Sequence, residues 1–125
     1  MADYTVGSIK QKKIRHITNS TILTTLDSGR VITVESASAV TITLPLASDA
    51  TCAYYDIIRI IDTTAVVTIA TSGSNTITIM DMDNKLVTSK SGITSGAGVA
   101  FMNSTVNLFS TGTEWVGKNI SMGWA

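Results

Sequence analysis

Val40-Thr41-Ile42-Thr43-Leu44-Pro45 decides the fold class. In an extended chain successive side chains point to opposite sides. This stretch therefore sets Val40, Ile42 and Leu44 on one face and Thr41 and Thr43 on the other. Pro45 ends the strand because it has no N–H to give to a ladder. β-branched residues, which favour pleated and half-buried surfaces, dominate to either side, and no stripe at helical spacing interrupts them.

Working outward, Ile22 to Leu26 and Arg30 to Val34 flank Asp27-Ser28-Gly29. That spacing predicts a hairpin whose three-residue loop puts Gly29 in the left-handed conformation. Tyr54 to Ile61 is the most apolar run. Ile58 and Ile60 point one way, Ile57 and Ile61 the other, so the strand is central or lies at a subunit interface. Val66 to Ala70 and Thr76 to Met80 flank a turn at residues 71–75. Lys85 to Thr88, Val99 to Asn103, Val106 to Ser110 and Thr113 to Val116 complete a set of about nine or ten short strands. Ser89 to Gly98, rich in Ser and Gly, reads as a surface loop. The pattern predicts an all-β protein, a compact antiparallel β-sandwich or jelly-roll-like barrel. Residues 1–16 form an extended N-terminal arm and residues 17–125 a single β domain.

Charged residues make up 14% of the 125-residue chain, against about 25% in an average soluble protein. Thr and Ser keep the surface wet in their place. Hydroxyls cost less than charges to bury against another chain, so the composition points to a subunit of a larger assembly. The net charge of zero supplies no global attraction to nucleic acid. No apolar run approaches the ~20 residues of a membrane helix. The opening Met1-Ala2-Asp3-Tyr4 lacks the apolar segment of a secretory leader, so cytoplasmic synthesis is expected. The sequons at Asn19, Asn103 and Asn119 are then chance matches in a Ser/Thr-rich chain.

Residue types that carry chemistry are sparse. Cys52 is the only cysteine and, with no redox motif around it, reads as a small core residue. His16 is the only histidine; no acid or nucleophile pattern accompanies it. Asp81-Met82-Asp83-Asn84 carries calcium-type ligands but lacks the spacing, glycine and distal glutamate of a calcium loop, and reads as a turn. Asp56 and Asp62 share one face of a strand about 20 Å apart at roughly 3.3 Å per residue, too far for paired carboxylates, which work at about 5–10 Å. No nucleotide-binding, hydrolase or metal motif is present. A non-enzymatic protein without a cofactor is expected.

Two regions remain as candidate contact sites. Lys10, Lys12, Lys13 and Arg15 are four of the nine basic residues; they form either a gripping arm or a solvated edge strand whose lysines block edge-to-edge pairing. Trp124, with Ile120 and Met122 at even spacing before it, packs on a partner or on the chain's own core. Trp115 reads as core. Ile57, Ile61, Met122 and Trp124 are therefore the candidate interface residues, and Trp124, Tyr54 or Tyr55 the candidate platforms for a sugar.

Val40-Thr41-Ile42-Thr43-Leu44-Pro45 with the Ala-Ser turn after it, the apolar strand Tyr55 to Ile61, the segment Val67 to Ile77, and Leu108, Ser110, Gly112, Thr113 and Trp115 follow one another in an order that resembles virion proteins of tailed bacteriophages. The match spans roughly residues 40–116, and each element alone is ordinary β-protein sequence. The resemblance implies a capsid decoration (cement) protein or a piece of a fibre or tail protein. Both kinds are commonly trimeric and β-rich. A decoration protein would sit on the outer capsid surface of the virion, between major capsid subunits, with the basic arm gripping the shell. A receptor-binding fibre or tail module would instead recognise host surface glycan. The chain shows no long repetitive shaft, which favours decoration.

Overall fold

The structure, a computed structural model, describes residues 4–6, 9–11, 13–36, 38–60, 66–80, 86–95, 104–118, 120 and 124. Tyr4–Val6 (β1) and Ile9–Gln11 (β2) pair antiparallel as a small sheet of their own. The remaining strands are β3 (Ile14–Ile17), β4 (Thr21–Ile22), β5 (Val31–Val34), β6 (Val40–Thr43), β7 (Tyr54–Arg59) and β8 (Val67–Ala70). They continue with β9 (Ile77–Met80), β10 (Leu86–Lys90), β11 (Gly92–Thr94), β12 (Thr105–Ser110) and β13 (Trp115–Lys118). They form a seven-stranded sheet, ordered β10-β9-β13-β12-β7-β5-β3, and a four-stranded sheet, ordered β11-β8-β6-β4.

From β3 to β8 the chain alternates between the two sheets, and every pairing in that region is parallel. Ile17 stands in register with Val34, and Val34 with Arg59; across the core, Ile42 stands in register with Ile69. The first half is thus a flattened β-coil of three turns. The second half closes it: β12 lies antiparallel on β7, and β11 antiparallel on β8. The protein is all-β, as expected. The pairing is mixed where an antiparallel fold was expected, because the turns send the chain across to the opposite sheet and not back along the same one.

The expected hairpin around Asp27-Ser28-Gly29 shows the cause. Thr25–Asp27 is a 3-10 turn, capped by Thr24 Oγ1 accepting from Leu26 N and by Asp27 Oδ2 accepting from Thr24 N at 3.0 Å. Gly29 does take a positive φ of 82°, and its N–H donates to Tyr54 O on the next coil. The corner therefore joins β4 of one sheet to β5 of the other. Asp27 is only 3% exposed and also takes Arg15 Nη1 at 2.7 Å and Arg30 Nη1 at 3.5 Å. A buried carboxylate with these partners stitches the corner to the edge strand.

The core lies between the sheets and is built of Ile17, Ile32, Val34, Ile42, Ile57, Ile69, Ile77, Ile79, Ile93, Val106 and Leu108 around Tyr55 and Trp115. Residues 44–53, between β6 and β7, fold over its end with Leu44, Ala47, Ala50 and Ala53 buried. Trp115 Nε1 donates to Pro45 O at 3.1 Å, Ser110 Oγ to Ala47 O at 2.8 Å, and Asn75 Oδ1 accepts from Ala47 N at 2.8 Å. In this lid Cys52 is exposed with a φ of 66°, a correction to the core position expected for it. The expected loop at 89–98 instead holds the end of β10 and all of β11; Val99 to Asn103 and Asp81 to Asn84 lie outside the described residues.

Candidate functional site

Sheet register fixes which side chains reach the surface. On the outer face of the large sheet, Tyr54, Phe109 and Val116 form one row across β7, β12 and β13. Asp56, Asn107 and Lys118 form the next. Their neighbours along the strands, Tyr55, Ile57, Leu108 and Trp115, are wholly buried on the other side, so the grid stands on a packed floor. Asn107 Nδ2 donates to Asp56 Oδ1 at 2.8 Å. Lys118 Nζ lies 5.9 Å from the centroid of the Tyr54 ring and 5.7 Å from that of Phe109, within the reach of a cation–π contact. Burial and the nearby Asp56 carboxylate push the Tyr54 hydroxyl above the usual tyrosine range.

The outer face of the four-stranded sheet is different in kind. Its strands read Thr-Ile, Val-Thr-Ile-Thr, Val-Thr-Ile-Ala and Gly-Ile-Thr, with no charged residue among them. Register places Thr41, Thr68 and Thr94 in one outward row and Ile22, Thr43, Ala70 and Gly92 in the next. Thr68 Oγ1 and Thr94 Oγ1 share a hydrogen bond at 3.3 Å. Ile22 is 70% exposed, a large aliphatic standing in water at the edge of this face.

The residues singled out from the sequence are dispersed. Ile57 is wholly buried in the subunit's own core, and Trp124 is buried too, bridging backbone to backbone with Ser95; neither offers a surface to a partner. Ile61 and Met122 lie outside the described residues. Arg15 is held by Asp27, because β3 forms the edge of the large sheet and turns that side chain toward the capped corner. Lys13 is exposed just before β3; Lys10 falls in β2, and Lys12 lies outside the described residues. Of the candidate sugar platforms, Tyr54 alone faces outward: Tyr55 and Trp124 are buried. His16, on exposed β3, accepts or donates at Nδ1 with Thr33 Oγ1 at 2.6 Å and Glu35 Oε2 at 2.8 Å. Phe109 as the neighbour of Tyr54 was missed, since nothing in the chain's local pattern says that residues this far apart share an antiparallel register.

Among the described residues no three His, Cys, Asp or Glu side chains stand together as a metal site, and no helix is long and apolar enough to cross a membrane. Comparison with known proteins finds no match: no family model, no curated protein and no solved structure.

Proposed function

We propose that the chain is a virion structural protein of a tailed bacteriophage, a capsid decoration protein that sits as a homotrimer on the head and ties major capsid subunits together. The observation that carries the reading is the charge-free outer face of the four-stranded sheet. A face of threonines, an alanine, a glycine and an exposed isoleucine is cheap to take out of water, since it strips no ion of its hydration. The role is mechanical: many modest contacts, repeated by symmetry, add up through avidity. The order of segments over residues 40–116, which resembles that of tailed-phage virion proteins, supports the same reading.

Its test is the copy number of this chain relative to the major capsid protein in purified virions, measured by quantitative mass spectrometry. Comparable copies are expected. A number far below that would move the chain to a fibre or tail, and absence from the particle would end the virion reading. Thr68→Lys with Thr41→Lys, which put ammonium groups on the charge-free face, should abolish incorporation while leaving the folded subunit intact.

A further inference from the structure

We propose that the hairpin β1-β2 of one copy of this chain adds to the free edge of β3 in a second copy, so that the large sheet runs on from subunit to subunit. The inference goes beyond the virion reading and stands on different residues.

β1 and β2 pair with each other and, among the described residues, with no other strand. A two-stranded hairpin alone in water is marginal at best, and a further strand is what makes it stable. The hairpin cannot take that strand from its own β3. Val31 N donates to Lys13 O at 3.0 Å, so the chain already lies against β5 at Lys13, and only Lys12 separates it from the end of β2. A reversal onto the next strand takes at least two residues, with glycine, asparagine or aspartate at positive φ. β1 does not reach β3 either, since its register ends with Tyr4 against Gln11. The missing strand therefore comes from another molecule.

Four strands end the seven-stranded and four-stranded sheets, and one of them suits. β10 changes register between Val87 and Lys90, an irregularity that bends an edge away from partners. β4 has two residues. β11 has three, and Ser95 directly after it is already bridged to Trp124. β3 keeps an unbroken register with β5 over all four of its residues. Lys13 O and Ile17 O accept from Val31 N and Glu35 N. Alternate residues of a strand turn their N–H and C=O groups to opposite sides, so Ile14 and His16 turn theirs to the open edge. Exposed edges are normally guarded by lysine, proline or a bulge, and β3 has none of these. Its Ile14 is 59% exposed, and its Arg15 is drawn onto Asp27 at 2.7 Å.

The partner is a copy of the same chain because each copy carries one hairpin short of a strand and one edge short of a partner. Identical copies satisfy both and leave nothing over, whereas a foreign strand on β3 would leave the hairpin unmatched. Main-chain hydrogen bonds supply the affinity, as they do wherever a strand is added to an edge. Each strand of the hairpin has three residues, about 10 Å of ladder, so one junction is weak. Donor and acceptor are different surfaces, and head-to-tail contacts of that kind close into a ring in which every copy is held twice.

The experiment uses the purified full chain in size exclusion with light scattering, over a range of concentrations. A closed oligomer is expected. Ile14→Pro removes an outward N–H at the first residue of β3, where proline is tolerated and the ladder to β5 is untouched. Thr5→Pro with Lys10→Pro breaks the hairpin at a cross-strand pair. Each variant alone should run as a monomer. Mixed in equal amounts they should form a one-to-one dimer, because the first still donates a hairpin and the second still offers an edge. Amide exchange gives a second reading. The N–H groups of Ile14 and His16 face away from β5, yet in the wild-type oligomer they should exchange about tenfold or more slowly than in the broken-hairpin variant. A wild type that stays monomeric at every concentration, folded variants that do not pair when mixed, or unprotected Ile14 and His16 amides in the wild type would overturn the proposal. The wild-type readings do so even if a variant fails to fold. None of these results alters the copy number in virions, so the two readings fail separately.

Discussion

The rings of Tyr55 and Trp115 stack with centroids 5.6 Å apart and planes inclined by 29°. Both are wholly buried, and each ends in a hydrogen bond to a corner of the chain. Tyr55 Oη donates to Thr24 O at 2.7 Å, and Trp115 Nε1 to Pro45 O at 3.1 Å. One stacked pair thus braces the capped turn on one side and the lid on the other. Trp115→Phe keeps most of the ring but leaves the Pro45 carbonyl without its donor, and should lower stability by about 1–3 kcal/mol. Trp115→Ala, which also opens a cavity, should cost about 3–5 kcal/mol. Urea unfolding followed by circular dichroism measures both.

Alkaline titration tests the same pair from the side of its charge. Burial, with the Asp27 carboxylate second, pushes the Tyr55 hydroxyl up to about 12, against about 10 for a tyrosine in the unfolded chain. The neutral form is the one the fold favours, so its contribution to stability is complete below pH ~10 and disappears as the pH rises toward ~12. Unfolding free energies measured from pH 9 to 12 should fall across that window. Tyr55→Phe should fall less steeply; an identical slope would remove Tyr55 from the effect.

Asp27 is the second brace. Asp27→Asn keeps the shape but takes the charge from between Arg15 and Arg30 and weakens the cap of the 3-10 turn. Arg15 and Arg30 are about one-third exposed, so water recovers part of the loss. A destabilisation of about 2 kcal/mol is expected, below the ~3–5 kcal/mol of a fully buried pair. Calorimetry at neutral pH measures it.

Gly92 passes close over its neighbour strand. A Cβ placed there would stand 2.9 Å from Ile69 O, a backbone atom that cannot swing aside. Gly92→Ala should therefore force β11 away from β8 and destabilise by about 1–3 kcal/mol. Amide exchange should quicken in β11 before it does in β5 and β7.

Cys52 is exposed in the lid. Dithionitrobenzoate should titrate one thiol in the native protein as readily as in urea, whereas a buried thiol would react only on unfolding.

Much of this architecture was legible in the chain, and the residues that misled have identifiable reasons. Alternation in Val40-Thr41-Ile42-Thr43 gave the buried and exposed faces of β6 correctly, because a strand's two faces depend only on its own sequence. Partner choice does not. Asp27-Ser28-Gly29 carries a hairpin's residues, yet Asp27 spends its carboxylate on Thr24 and two arginines, and the chain crosses to the other sheet. Ile57 and Trp124 read equally well as interface or core, since burial by one's own chain and by a neighbour demand the same side chains. The large-sheet grid was invisible for a related reason: Tyr54, Phe109 and Val116 come from three separated strands, and only the register puts them in a row.

The switch from parallel to antiparallel pairing also sets an order of events during synthesis. The early turns of the coil need partners not far back in the chain, as in Ile17 with Val34 and Val34 with Arg59. The far edge of β7 must wait for Thr105–Ser110, and Tyr55 does not meet Leu108 until then. A ribosome that has released residues up to 100 has therefore made a coil whose last rung, apolar on its buried face, carries a raw edge of unpaired N–H and C=O groups. In that interval β7 is a ready template for a second nascent chain. Stop codons placed before β12 should send the product into aggregates, whereas the full chain should not aggregate.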